Sequence, residues 1–353
     1  MKYIFNPVHD QKLQGYPSTD FVKTTAGQTI QVTTSAELTA ALAALAAAPS
    51  LLGNVTISLA AGTYADAVNV PSLAGNGYTL TLQGSTTTQV NTAATGGTAG
   101  TQTVQATVVK TLAGWALNAY RGLWIKFTGG ALNGQVRVIN SNTADTLTLC
   151  GEYFNSAPLN GDTFIIFSNG ATVTGKVTTN PGTYGIVFQN INLTKLECRG
   201  SFLTFGQCQH HDMRSDSCSV IYTTCYILAD SVPYDTSIPV GIENFASFIV
   251  LTSTLVYGTR PATNSIGVFA PSGFTRLFSS VVENCDLAGI FSRLSVELSG
   301  GFGNKTNTRI QNNTTGLYAG QGGAIYHSNE VTFAGNVTDM IPAAAANPSW
   351  IGT

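Results

Sequence analysis

The chain has 353 residues, 16 of them Lys or Arg and 18 Asp or Glu, giving a formal net charge of −2. Charged residues make up 10% of it, against about 25% in an average globular domain, so much of the surface must be built from Thr, Ser and Asn. There is no broad basic field to neutralise a phosphate backbone, which argues against nucleic acid as a partner. No run of about 20 apolar residues occurs, so no membrane insertion is expected. The six cysteines (Cys150, Cys198, Cys208, Cys218, Cys225, Cys285) are irregularly spaced and contain no CxxC pair. Zinc-ribbon and thioredoxin-like readings therefore fail, and free thiols filling small core sites are expected.

Residues 1–30 are polar and irregular, punctuated by Pro7, Gly15, Pro17 and Gly27, and read as a leader that packs on or connects to a neighbour. The opening Met1 to Pro7 has no secretory apolar region, so synthesis in a cytoplasm without a signal peptide is expected. Thr34-Ser35-Ala36-Glu37 has the capping-box pattern, Leu38, Leu42 and Leu45 mark one helical face, and Pro49 closes the segment. The period then changes from about 3.6 to two. Val55, Ile57 and Leu59 alternate with Thr56 and Ser58, Ala61-Gly62-Thr63-Tyr64 turns the chain, Val68 and Val70 resume, and Thr79 to Gly84 forms another short strand. This order of helix, strand, "AGTY" turn and strand resembles the opening of pectate-lyase-like right-handed parallel β-helix proteins. The resemblance implies that the helix caps the first coil over residues 31–102, since a solenoid core must be plugged at its end. Within that span residues 86–102, rich in Thr, Gly and Ala, read as a loop or linker.

From 103 to 170 the texture changes. Short alternating strands are separated by Gly, Asn and Asp turns, as in Gly134-Gln135-Val136-Arg137-Val138-Ile139 and Thr146-Leu147-Thr148-Leu149, and the pattern predicts a small antiparallel β-module inserted into the solenoid. Its run through Trp124-Ile125, Gly129-Gly130, Ala144-Asp145-Thr146 and Gly161-Asp162-Thr163-Phe164 resembles a module of phage tail and tailspike proteins. Residues 171–340 return to apolar runs at rung-length spacing and read as the main β-helix, with a tail at 341–353. Asn190, Asn192, Asn284, Asn312, Asn313, Asn329 and Asn336 recur near strand ends, where side-chain amides stabilise tight turns and stack between rungs. The fold class expected is all-β: a right-handed parallel β-helix with an N-terminal capping helix and a small inserted antiparallel module.

Acids are scarce, and the densest group is Asp212, Asp216, Asp230, Asp235 and Glu243, with His210, His211 and Arg214 beside it. Asp212 and Asp216, four residues apart around an expected turn, could bring two carboxylates into glycosidase range, so Asp212, Asp216, Asp235 and Glu243 are the catalytic candidates. The opposing reading is that these acids cap turns and pair on the surface. Adjacent His210 and His211 face opposite sides of a strand, whereas Cys208, His210 and Asp212 would share a face; with no fourth ligand apparent, ordinary core and surface roles are expected, with no metal and no cofactor. Tyr222, Tyr226, Tyr234, Phe245, Phe248 and Tyr257 could stack on sugar rings, fill the interior or line a subunit interface.

Together these readings point to a phage virion structural protein, tailspike-like or decorating the head. It is expected as a homotrimer contacting other virion proteins, with residues 1–30 as the attachment. The alternatives are a polysaccharide depolymerase, hydrolase or lyase, acting on host surface glycan, and a glycan-binding module without catalysis.

Overall fold

The computed structural model describes residues 28–47, 51–73, 77–101, 103–230, 238–258, 265–293, 295–298, 308–320, 324–327 and 331–341. They form a right-handed parallel β-helix of three-sided coils, with one helix at its start and one antiparallel sheet against its flank.

The first side is a ten-stranded sheet running from Gln28–Val32 through Val55–Leu59, Leu80–Gly84, Ile186–Gln189 and Phe202–Gly206 to Ala324–His327. Its pairs are parallel and in unbroken register, for example Leu80↔Ile186↔Leu203↔Val220↔Ile249. A strand with one face inward must alternate, and Val55–Leu59 does so: Val55, Ile57 and Leu59 are buried while Thr56 and Ser58 are partly exposed. The second and third sides are joined at the start of the solenoid, where the long strands Ala171–Thr179, Ile191–Arg199 and Gln209–Asp216 run along both. At Gln209–Asp216 the sheet divides. Its first residues pair with Tyr226–Ala229, which continues the second side, and its last four pair with Val240–Phe245, which continues the third. From there each coil places one strand on each side.

The corners follow from residue chemistry. Passing from the first side to the second takes a single left-handed residue in successive coils, Asn190, Gln207, Thr224, Ser253 and Ser279, with φ between 45° and 55°. Between the second and third sides an asparagine ladder holds the turns: Cys285 N donates to Asn313 Oδ1 and Asn313 N to Asn336 Oδ1, both at 2.9 Å. This is the stacking expected of the recurrent asparagines; Asn329 lies outside the described residues. Beside that ladder, Gly241, Gly267, Gly289 and Gly316 are each the second residue of a third-side strand. A Cβ on Gly267 would lie 2.6 Å from the Gly289 carbonyl oxygen, so only glycine lets the coils close here.

The helix Ser35–Ala47 buries Leu38, Leu42 and Leu45 over the first coil. Glu37 N donates to Thr34 Oγ1 at 3.2 Å, as a capping box requires, but the Glu37 carboxylate returns to Thr33, accepting from its N at 2.6 Å and its Oγ1 at 2.9 Å. Tyr64 of the AGTY turn is buried and donates to the Val32 and Ala60 carbonyls, tying the first coils together. Along the solenoid axis the interior side chains stack. Phe188, Phe205 and Tyr222 lie face to face at 4.9 and 4.8 Å, and the Tyr222 hydroxyl donates to Met213 Sδ. All six cysteines are free and buried, and burial pushes their thiols above the ordinary range.

The linker reading of 86–102 is corrected. Thr86–Ala93 and Gly96–Thr98 are strands of a seven-stranded antiparallel sheet whose other members lie between Thr107 and Asn169. Thr86–Ala93 was illegible because none of its residues is buried, so selection for alternating apolar side chains does not act on it. The sheet leaves the solenoid after Leu80–Gly84 and returns at Ala171–Thr179, so it occupies a first-to-second-side corner. It folds back onto the second side of coils far along the chain. Trp124, Val138, Cys150 and Phe167 pack against Tyr226, Leu255 and Val281, and Trp124 Nε1 donates to the Thr224 carbonyl at 2.7 Å. Arg121 donates to Tyr257 Oη at 2.7 Å, and Arg309 donates to the Thr103 carbonyl at 2.6 Å. The leader reading also shifts at its end: Gln28–Val32 is the first solenoid strand, and residues 1–27 and 342–353 lie outside the described residues.

Candidate functional site

The acidic cluster predicted from sequence centres on the place where the sheet divides. Asp212 and Asp216 are not separated by a turn, as expected, but lie on the one strand Gln209–Asp216. Four residues of extended chain span about 13 Å, beyond the roughly 5–9.5 Å between glycosidase carboxylates. Asp216 sits at the corner, partly exposed, accepting from Ser217 Oγ at 3.0 Å. Asp235 lies outside the described residues.

Glu243 takes the place beside Asp212 that Asp216 does not. It lies on Val240–Phe245, directly opposite Arg214 and so one strand over and two residues along from Asp212. The sharing of one face by Cys208, His210 and Asp212 is also corrected, because the strand bends between the second and third sides at His211 and Asp212. His210 points into the core, 5.3 Å from the Tyr222 ring and 6.4 Å from that of Phe205, while Cys208 is part of the same core. Asp212 precedes the inward Met213 and feels the charges of Glu243 and Lys195 outside. His211 faces out as expected, its Nδ1 2.9 Å from Asp230 Oδ1. No group of three or more metal-ligating side chains forms among the described residues.

Burial sets the electrostatics. Asp212 is 1% exposed, its Oδ2 has no hydrogen-bond partner among the described residues, and burial pushes its carboxyl up to about 7, helped by Glu243 and opposed by Lys195. His210 is fully buried with neither ring nitrogen hydrogen-bonded among the described residues, and burial lowers its pKa to about 3. The two groups drive opposite pH dependences. Asp212 binds more protons folded than unfolded, so its contribution falls as pH rises from about 4 to about 7. His210 binds fewer, so its contribution falls as pH drops from about 6.5 to about 3. Each is on the order of 4 kcal/mol across its window, and in the intact chain they offset. Asp212→Asn is therefore expected to leave stability that rises with pH between 4 and 6.5, and His210→Phe stability that falls there. Denaturant melts at several pH values check this, and parallel slopes in the two variants would refute it.

The third acid of this region escaped the sequence reading. Glu197, buried opposite Arg214 on the preceding coil, is ion-paired with Lys176 and Arg199. Further along the third side the column Glu197–Arg214–Glu243 passes into aromatics: Glu243 pairs with Phe269, Phe269 with Phe291, and Phe291 with Tyr318. These three rings are partly exposed, with centroids 5.2 and 4.6 Å apart, and Arg293 lies 5.5 Å from the Phe291 centroid. Arg214 lies over Phe245 at 4.8 Å. Of the aromatics named from sequence, Tyr222 is core, Tyr226 and Tyr257 meet the antiparallel sheet, Phe245 borders this strip, Phe248 stacks on Phe274 on the first side, and Tyr234 lies outside the described residues. Phe269, Phe291 and Tyr318 were missed because the intervals of 22 and 27 residues between them are unequal, although each sits at the same place in a strand of pattern apolar-Gly-apolar-aromatic or its near equivalent.

Fold and site together define a parallel β-solenoid with an antiparallel sheet docked on one side and an outward strip of charged and aromatic residues on another. The chain matches no protein-family model and no curated protein. Among solved structures it is similar to three phage tailspikes. The Pseudomonas phage phi297 tailspike gp61 is 12% identical over 86% of this chain and 59% of that one, with a TM-score of 0.25. The Gp54 tailspike of Acinetobacter baumannii bacteriophage AP22, in complex with A. baumannii capsular saccharide, is 9% identical over 84% and 66%, TM-score 0.21. The tailspike gp49 of Pseudomonas phage LKA1 is 10% identical over 92% and 69%, TM-score 0.22. No residue of this chain inherits a role from them, and the chain spans 59% of the length of the first.

Proposed function

We propose that this chain is a surface protein of a phage particle whose third side binds host glycan without cleaving it. The observation that carries the glycan reading is the ladder Phe269–Phe291–Tyr318, three partly exposed rings on successive coils. Aromatic faces offer sugar rings apolar contact, and the coil spacing of about 4.8 Å repeats that contact along a polymer. The particle reading rests on the resemblance of the antiparallel module to those of phage tails. Assembly as a homotrimer, held to the particle by residues 1–30, belongs to the same proposal. Titration of host capsule or lipopolysaccharide into the full chain tests binding: retention that Phe291→Ala weakens is expected, and no retention by any host glycan would overturn the reading. Purified virions should contain the protein, and sedimentation should give a trimer.

A second reading, cleavage, is favoured by Asp212, whose carboxyl near pH 7 suits a proton donor beside Glu243. Exposures of 1% and 2% for these two acids support binding over cleavage. New reducing ends or unsaturated sugars that disappear in Asp212→Asn and Glu243→Gln would establish cleavage instead.

A further inference from the structure

We infer, resting on the glycan reading above, that the polymer held by the third side is anionic, carrying carboxylate or phosphate groups. The acids and bases of this side are sorted by depth. Glu197, Asp212 and Glu243 are buried, at 5%, 1% and 2% exposure, whereas Lys195, Arg199 and Arg293 are exposed and Arg214 is partly so. The buried acids are largely accounted for from within. Glu197 is paired with both Lys176 and Arg199, and Asp212 holds its proton over part of the neutral range. Among the described residues, what faces solvent between the margins of this side is therefore mostly positive, on a chain whose overall charge is −2. Among the described residues the partly or fully exposed acids stand at the margins of this side: Asp216 at the corner beyond it, Asp230 (paired with His211) and Asp286 where the chain leads into it, and Asp339 near the last described coil, where it accepts from Asn336.

The cations also interleave with the rings. Lys195 stands one strand before Asp212, Arg214 lies over Phe245, and Arg293 lies 5.7 and 5.5 Å from the Phe269 and Phe291 centroids. A guanidinium beside an aromatic face keeps its in-plane N–H groups for an anion, and Arg recognises carboxylate and phosphate through paired hydrogen bonds. From the strand bearing Lys195 to the one bearing Tyr318 is five coil steps, about 24 Å at the usual strand spacing. A polymer lying along it would meet ring faces and positive charge in turn. A neutral glycan would use the rings but gain no charge-assisted contact from Lys195 or Arg293.

The test is binding of the full chain to four probes: polygalacturonate for carboxylate, a phosphorylated mannan for phosphate, dextran as the neutral polymer and single-stranded DNA as a polyanion without sugar-ring display. One or both anionic glycans should bind at least about tenfold more tightly than dextran, the value of one charge-assisted hydrogen bond. Raising the salt from about 50 to about 500 mM should remove that preference. Arg293→Gln, with an unchanged melting temperature, should lose about tenfold toward the anionic polymer and nothing toward dextran, whereas Phe291→Ala should weaken both. Equal affinity for dextran, or a preference that Arg293→Gln leaves intact, would overturn the anionic assignment while sparing the glycan reading. Failure of every glycan would overturn both. DNA bound as tightly as the preferred glycan would show unspecific charge attraction and also defeat the assignment.

Discussion

Trp124→Ala is expected to destabilise the protein by about 3–5 kcal/mol, the usual cost of emptying a large aromatic site. Trp124 is fully buried between the antiparallel sheet and the solenoid, stacked on Phe167 at 5.9 Å. Its indole N–H is hydrogen-bonded to the Thr224 carbonyl at the first-to-second-side corner. Truncation empties the site and orphans that carbonyl, and both losses fall on the contact between the two sheets. Scanning calorimetry should show a lowered transition for the sheet of residues 86–169, and protease should cut near Gly84 or Gly170 more readily than in the parent. Trp124→Phe, which keeps a ring against Phe167 but gives up the hydrogen bond and part of the indole volume, should lose less, about 1–3 kcal/mol. A Trp124→Ala protein that melts like the parent would mean the docking is not held here.

The second large effect is expected at Phe205. It is fully buried in the middle of the interior stack, 4.9 Å from Phe188 and 4.8 Å from Tyr222, with His210 at 6.4 Å. Phe205→Ala should cost about 3–5 kcal/mol through lost burial and an unfilled cavity, and Phe205→Leu markedly less, since leucine refills most of the volume. The solenoid transmits this loss along its axis. Each coil rests only on its neighbours, so a weakened coil lowers the cooperativity that joins the coils on either side. A denaturant transition that splits or broadens in Phe205→Ala but stays single in Phe205→Leu is the expected signature. An unchanged midpoint in both would show that the interior tolerates a gap at this coil.

The parallel coils were legible because their inward faces obey a period of two, as in Val55–Leu59, and because the turns between the second and third sides carry Asn and Gly. The helix was legible from its cap and three leucines. What the sequence hid has physical causes. Thr86–Ala93 buries no residue and so carries no alternation. The bend at His211 and Asp212 breaks the period that would otherwise place Asp212 with His210. The cluster itself was found because acids are rare in this chain, but the partner of Asp212 was misassigned: nearness in sequence favoured Asp216, whereas stacking brings Glu243 from the next coil. The aromatic strip was missed for the same reason, since neighbours across coils are separated by loops of unequal length.

The corner at which the antiparallel sheet is inserted has its two ends joined by one hydrogen bond, from Gly170 N to Ser85 O at 2.8 Å. By register Gly84 occupies the rung position that Asn190 holds in the next coil, and Ala171 the position of Ile191. The whole excursion is thus a cartridge plugged into a socket one residue wide. Joining Gly84 directly to Ala171 would restore an ordinary corner, and a different cartridge with ends equally close could be fitted provided that it also covered Tyr226, Leu255 and Val281 on the second side. A scaffold of this kind lets the flank of the molecule be exchanged as a unit while the column that carries it stays the same.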